Sequence, residues 1–95
     1  MNQSGSRLVY TVQIYSEKRI ADARKQFIFT LQSLNKKNLN LLRIEKVGKY
    51  YTVRLGKFDN HETAKKLLKE INPWLPKAII IKAHIKNERI VRLYK

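Results

Sequence analysis

The chain has 95 residues, 43% of them hydrophobic, and its 21 Lys and Arg residues against 7 Asp and Glu residues give a formal net charge of +14. This length fits one domain with its own core and leaves no room for a second. The absence of cysteine excludes a disulfide framework, a thiolate metal site and a catalytic thiol. The charge favours a polyanionic partner, such as nucleic acid, anionic lipid or an acidic polysaccharide.

The first half of the chain predicts a strand followed by a helix. Residues 8–15 alternate and are rich in Val, Ile and Tyr, which is typical of a strand. Ser16 is a plausible cap for a helix that continues to about residue 37, where apolar residues recur at helical spacing. Residues 40–47 then predict a second strand.

The second half predicts two more strands around a second helix. Gly48 supplies the positive φ of a tight hairpin turn, and a third strand follows at residues 49–55. A helix capped by Asp59 or Asn60 runs to about residue 71 and stops before Pro73, because the residue preceding proline avoids the helical region. The fourth strand is predicted at residues 78–85.

The two halves repeat each other at an offset of 41 residues. Residues 10–14 read YTVQI and residues 51–55 read YTVRL, while at the same offset residues 23–25 (ARK) meet residues 64–66 (AKK). A strand and a helix therefore recur together, which predicts one supersecondary unit used twice.

The predicted order βαββαβ indicates an α+β, ferredoxin-like fold. Right-handed crossovers give a four-stranded antiparallel sheet of order 4-1-3-2 with both helices on one face. We expect residues 8–85 to form this domain, residues 1–7 to be a linker, and residues 86–95 to be a basic C-terminal extension, in which residues 90–93 could add a short edge strand. The second sheet face is predicted to be uncovered, so its side chains are the candidates for function.

Strand alternation identifies these candidates if Val12 and Ile14 point towards the helices. The outward side chains combine amides, hydroxyls, rings and cations, which suits an extended anionic or hydroxylated polymer, because Arg pairs with carboxylate or phosphate through two hydrogen bonds. An ordinary polar outer face would explain single Thr or Glu residues equally well. The candidate ligand-binding residues are Thr11, Gln13, Tyr15, Arg43, Tyr50, Thr52, Arg54 and Lys82.

Two aromatic residues lie outside this pattern. Trp74, between Pro73 and Leu75, is expected to plug the end of the core, with the edge of a groove as the alternative. Phe29 falls off the apolar stripe of the first helix, so we expect it to be partly exposed or to wrap over an edge.

No group of residues indicates catalysis. His61 and His84 are far apart in sequence and have no neighbouring Cys or Asp pair, so metal ligation is not expected. The acidic residues form no pair suited to acid and base work, and the isolated Gly48 and Gly56 make no phosphate-binding loop. We expect a binding module without enzymatic activity, cofactor or metal. No run reaches the roughly 18 apolar residues of a membrane helix, so this segment is not expected to insert into a membrane.

Residues 10–14, followed by Ser16 and a helix containing Ala23, and residues 51–58 (YTVRLGKF), followed by Ala64, resemble the SPOR domain. The resemblance covers about residues 8–85. It implies a ferredoxin-like fold whose open sheet binds glycan strands of bacterial peptidoglycan that have lost their stem peptides.

The resemblance also implies which residues bind. The family uses a glutamine in the first strand and a serine three positions later, which correspond here to Gln13 and Ser16. It further implies a location in the bacterial cell envelope or periplasm. We expect the domain to be a monomer and a part of a larger envelope protein. Removal of a stem peptide frees the lactyl carboxylate of muramic acid, so a stripped strand is a polyanion that matches the charge of this chain.

Two other functions stay open. An RRM-like domain binding single-stranded RNA has the same topology, although residues 49–54 lack the glycine and spaced aromatic residues of its third-strand motif. A protein-interaction module that uses an exposed strand edge is the other.

Overall fold

The computed structural model describes residues 8–94, and the expected linker at residues 1–7 lies outside them. The regular elements are β1 (Leu8–Glu17), α1 (Ile20–Ser33), β2 (Arg43–Val47), β3 (Tyr50–Phe58), α2 (His61–Ile71), β4 (Ile79–His84) and β5 (Ile90–Leu93). Short 3-10 turns at Lys36–Asn38 and Asn87–Arg89 precede β2 and β5.

The strands form one antiparallel sheet of order β4-β1-β3-β2-β5. The predicted α+β class and the order of the first four strands are confirmed. The predicted number of four strands is wrong, because Ile90–Leu93 pairs with β2 and adds a fifth strand at that edge. The short edge strand suggested at residues 90–93 is therefore present.

The apolar core lies between the sheet and the two helices. Val12, Ile44 and Val53 of the three central strands are fully buried there, and α1 and α2 contribute Phe27 and Ile71. Each of these strand residues is followed by a polar residue, namely Gln13, Glu45 or Arg54. Since successive side chains of a strand point to opposite faces, one face of the sheet packs against the helices and the other carries the polar residues. Both helices therefore pack on one face, as predicted.

The ends of two elements differ from the prediction for local reasons. β1 continues to Glu17, because Ser16 pairs with Thr52 and Glu17 with Tyr51 of β3, so Ser16 is a strand residue rather than a helix cap. β2 begins only at Arg43, since Leu41 has a φ of 53°, which extended backbone does not allow.

The second helix is capped by Asn60. Its side-chain oxygen accepts a hydrogen bond of 2.9 Å from the backbone N–H of Thr63, and the helix ends at Ile71, two residues before Pro73. Of the two predicted caps, Asn60 is the one used.

The link between β4 and β5 passes over the face of the sheet that lies opposite the helices. β4 and β5 are the two edges of the sheet, and only residues 85–89 join them. Since α1 and α2 occupy one face, this link crosses the other, and its 3-10 turn, Asn87–Arg89, contacts β2. The C-terminal residues thus complete the fold and cover part of the face predicted to be open.

Candidate functional site

Most of the polar sheet face is buried. Thr11, Arg43 and Glu45 have no exposed surface, and Thr52 and Arg54 are almost as deeply covered, Arg54 with 7% of its surface exposed. The expectation that this face is uncovered is wrong for these residues, because the link to β5 runs over them. As the protein stands, they are not accessible to a polymeric ligand.

The buried polar residues form one ionic network. Glu45 Oε2 accepts a hydrogen bond of 2.6 Å from Arg43 Nε, and Glu45 Oε1 accepts one of 3.2 Å from Arg54 Nη1. Arg43 also donates from Nη2 to Thr11 Oγ1 at 3.1 Å and from Nη1 to the carbonyl oxygen of Gly56 at 3.0 Å. Every buried charge therefore has a partner, as burial demands.

This network carries more positive than negative charge. Arg43 and Arg54 share one carboxylate, that of Glu45, and Arg89 of the covering link is close enough for its charge to act on Arg54. Burial lowers the pKa of the Arg54 guanidinium from its usual value, and Glu45 opposes this effect. An arginine remains protonated at any ordinary pH, so the excess positive charge persists beneath the sheet surface.

Gln13 lies at the edge of this network in a fixed orientation. Its Oε1 accepts hydrogen bonds from Arg54 Nε at 3.3 Å and from Arg54 Nη2 at 3.2 Å. Because a guanidinium has donors only, the atom that faces Arg54 must be the amide oxygen. The Nε2 group is left over as a hydrogen-bond donor, with no acceptor among residues 8–94. Gln13 therefore keeps two N–H groups that are not hydrogen bonded within these residues.

Gln13 lines a shallow depression at one corner of the sheet. The depression has a volume of about 170 Å³, and its other walls include Tyr15, Ser16, Lys77 and Ile79. Gln13 is half-buried, and Ser16 and Lys77 are exposed. β4 begins at Ile79, opposite Gln13, so the edge of β1 beyond that point is not paired with β4. This corner is the accessible part of the predicted site.

The Tyr15 side chain lies on the helix side of the sheet. A shift in register between Gln13 and Tyr15 pairs Tyr15 with Val53, a core residue, and the ring packs against the core. The prediction that Tyr15 faces away from the helices is therefore wrong. Lys77 Nζ lies 3.4 Å from the Tyr15 hydroxyl oxygen and 5.4 Å from the ring centroid, which keeps the ring beside the corner.

The predicted phase of the fourth strand is inverted. Ile79 and Ile81 pair with Gln13 and Thr11, so they share the polar face, whereas Lys82 pairs with Tyr10 and lies 5.3 Å from the centroid of its ring. The prediction that Lys82 lies on the face opposite the helices is wrong, because the apolar run at residues 78–81 carries no alternation to define a phase.

The remaining predicted residue, Tyr50, lies away from the corner. It is exposed at the start of β3, where it pairs with Val47 beside the hairpin turn. Tyr50 does not line the depression beside Gln13.

Sequence reasoning missed Lys77, Ile79 and Arg89. Lys77 lies in the connection between α2 and β4, and Arg89 in the link to β5, so neither belongs to a periodic pattern that would have marked it. The predicted phase of the fourth strand places Ile79 on the helix side, whereas in the structure it pairs with Gln13 and lies on the polar face.

The described part of the chain has no group of three or more His, Asp or Glu residues placed to hold a metal ion. Within residues 8–94, each helix is too short or too polar to cross a membrane.

Comparison with known proteins places this fold in a family. The structure resembles the solution structure of the peptidoglycan binding domain of the B. subtilis cell wall lytic enzyme CwlC, with a TM-score of 0.63 and 21% sequence identity over 87% of this chain and 99% of that one. A comparison with the curated proteins finds no match. The family model of the SPOR domain matches residues 9–82, and the chain therefore belongs to the SPOR domain family.

Proposed function

We propose that this domain is a non-catalytic module of the bacterial cell envelope that binds peptidoglycan through its glycan strands, with a preference for strands stripped of stem peptides. Membership of the SPOR family and the likeness to a domain described as peptidoglycan binding support the general function. The orientation of Gln13 is the observation that supports this choice of site, because its amide oxygen is engaged with Arg54, its two N–H donors are left over, and Gln13 lines a depression that a ligand can enter.

The chemistry of the corner favours an acceptor-rich, anionic ligand. Gln13 contributes donors only, Lys77 adds an exposed ammonium group, and the arginine pair behind Gln13 supplies unneutralised positive charge. A stripped glycan strand carries acetamido oxygens and one lactyl carboxylate on each muramic acid, and these groups accept such hydrogen bonds. An intact stem peptide would convert the lactyl carboxylate into an amide and hinder approach to the corner.

The geometry of the sheet face does not support the RNA-binding alternative. An RRM-like domain stacks bases on exposed aromatic side chains of its central strands. The equivalent central position on β3 holds Arg54, which is buried under the link to β5 and engaged with Gln13 and Glu45.

The proposal is tested by cosedimentation with purified sacculi before and after amidase treatment, with single-stranded RNA as a competitor. We expect more binding to the treated sacculi, and only partial loss as salt rises, since neutral hydrogen bonds remain when charges are screened. Equal binding to both preparations, with complete loss in salt, would mean that the basic domain adheres to sacculi only through nonspecific charge interactions. Competition by RNA with a steep salt dependence would favour the RNA-binding function instead.

Three variants test the role of Gln13. Gln13→Ala removes the donors and should weaken binding about tenfold, while Gln13→Glu should weaken it further, because a carboxylate keeps the contact with Arg54 but repels an anionic strand. Gln32→Ala, at an exposed position of α1, is the matched control and should bind normally. If Gln13→Glu binds as well as the parent protein, Gln13 does not act as a donor to the ligand.

A further inference from the structure

A second hollow lies next to the Gln13 corner, on the helix side of the sheet edge formed by β1. It has a volume of about 180 Å³ and is lined mainly by apolar atoms of Tyr15, Phe29 of α1, and the segment 74–77. Two of its rings are unusually exposed for aromatic residues, since 54% of Trp74 and 45% of Phe29 are open to solvent. We call this hollow the aromatic groove. Trp74 therefore lies at the edge of a groove, which is the alternative of the two expectations for this residue.

The aromatic groove is continuous with the corner that holds Gln13. Ile14, Tyr15 and Lys77 line both hollows, so the Tyr15 ring and the Lys77 side chain form their shared wall. β4 does not extend beyond Ile79, and no strand pairs with this edge of β1 within the described residues to separate the two hollows. A chain-like ligand seated at Gln13 can therefore continue into the aromatic groove.

We propose that the aromatic groove binds the next sugar units of the glycan strand whose other part contacts Gln13. This inference rests on the proposed function. Exposed aromatic rings in a concave, largely apolar site suit the C–H faces of pyranose rings, and a few placed polar groups orient such ligands. Lys77, at the shared wall, supplies the charge that would pair with a lactyl carboxylate.

The composition of the groove favours this occupant over a peptide. Its lining carries one charged side chain, Lys77, and that charge is positive, as a regularly anionic strand requires. The same lysine lies 5.4 Å from the centroid of the Tyr15 ring, which places a cation and an aromatic face side by side at the junction of the two hollows. The two hollows together extend the site from the sheet to the side of α1, which requires an extended ligand.

The chain contains a single tryptophan, Trp74, so its fluorescence reports directly on the aromatic groove. We expect soluble stripped glycan fragments to change the Trp74 emission, with short fragments causing a smaller change than long ones at the same occupancy of the Gln13 corner. An unchanged spectrum at saturating long fragments would overturn the inference.

Binding measurements with variants complete the test. Trp74→Ala should weaken binding of long fragments about tenfold and of the shortest binding fragment little, whereas Gln13→Ala should weaken both. Ile28→Ala, at an exposed apolar position of α1 outside the groove, is the control. Lys77→Gln should weaken binding to native fragments more than to fragments whose carboxylates have been reduced. Melting curves of each variant test whether a loss of folding, rather than of a ligand contact, causes weaker binding.

The outcomes separate the two proposals. If Gln13→Ala weakens binding while Trp74→Ala matches Ile28→Ala at every fragment length, the groove is not a glycan subsite, and the proposed function stands. If neither variant affects binding, both the groove and the Gln13 corner are excluded as glycan sites, whereas the proposed function itself fails only if the parent protein does not bind stripped glycan. If Trp74→Ala reduces binding only to untreated sacculi that carry stem peptides, the groove binds peptide, and the inference is overturned.

Discussion

The buried position of Glu45 leads to a strong prediction for protein stability. Glu45→Gln retains the shape of the side chain but removes the only carboxylate of the network, so the guanidinium groups of Arg43 and Arg54 stay buried without a counter-charge. Loss of one partner from a buried ion pair costs about 3 to 5 kcal/mol. We expect the lower end, about 3 kcal/mol, because the amide oxygen of glutamine still accepts one hydrogen bond.

This loss is large against the total stability of the domain. A chain of this length is stabilised by about 5 to 14 kcal/mol, and each kcal/mol corresponds to about 4 to 8 °C in melting temperature for a domain of this size. The melting temperature of Glu45→Gln should therefore fall by about 12 to 24 °C.

Thermal and urea unfolding followed by circular dichroism measure this effect. Glu88→Gln is the control, because Glu88 is an exposed carboxylate in the link to β5, and its loss should change the free energy of unfolding by less than about 0.5 kcal/mol. If Glu45→Gln is as stable as Glu88→Gln, the polar face is open to water in solution, and the site assigned to the corner must be extended over the sheet.

Two further changes test how the fold forms the site. Gly56→Ala should destabilise the protein by more than about 1 kcal/mol, because Gly56 has a φ of +80° and an added Cβ would collide with the ring of Phe58. Gly48→Ala, with a φ of +59° and nothing within 4 Å of the added Cβ, should cost less, and equal losses would refute the role of the collision. A chain that ends at residue 85 should lose about 2 kcal/mol, or about 10 °C in melting temperature, since β5 no longer pairs with β2 and Arg92 no longer lies 5.6 Å from the Phe27 ring centroid. An unchanged melting temperature would mean that residues 86–95 are a separable extension.

Local sequence patterns determine the core of this fold. Alternation and helical spacing predict the strands and the helices, because each pattern depends only on which residues an element must bury. The order of the first four strands follows from the element order βαββαβ and the right-handed crossover rule. The repeat offset of 41 residues also relates Gln13 to Arg54. In the structure these residues pair directly on neighbouring strands, and their side chains are hydrogen bonded.

Tertiary structure decides which of the predicted site residues a ligand can reach. Strand alternation assumes a regular register, and the shift between Gln13 and Tyr15 moves Tyr15 to the other face, because a slip of one residue reverses every side chain beyond it. The burial of Thr11, Arg43 and Arg54 depends on a link that joins the two outer strands of the sheet, and such a contact between residues distant in sequence leaves no local pattern. The sequence therefore identifies Gln13 as a functional candidate. The path of the C-terminal chain leaves, of the predicted site residues around Gln13, the corner that Gln13, Ser16 and Lys77 line as the accessible part, and this corner is the site that we propose.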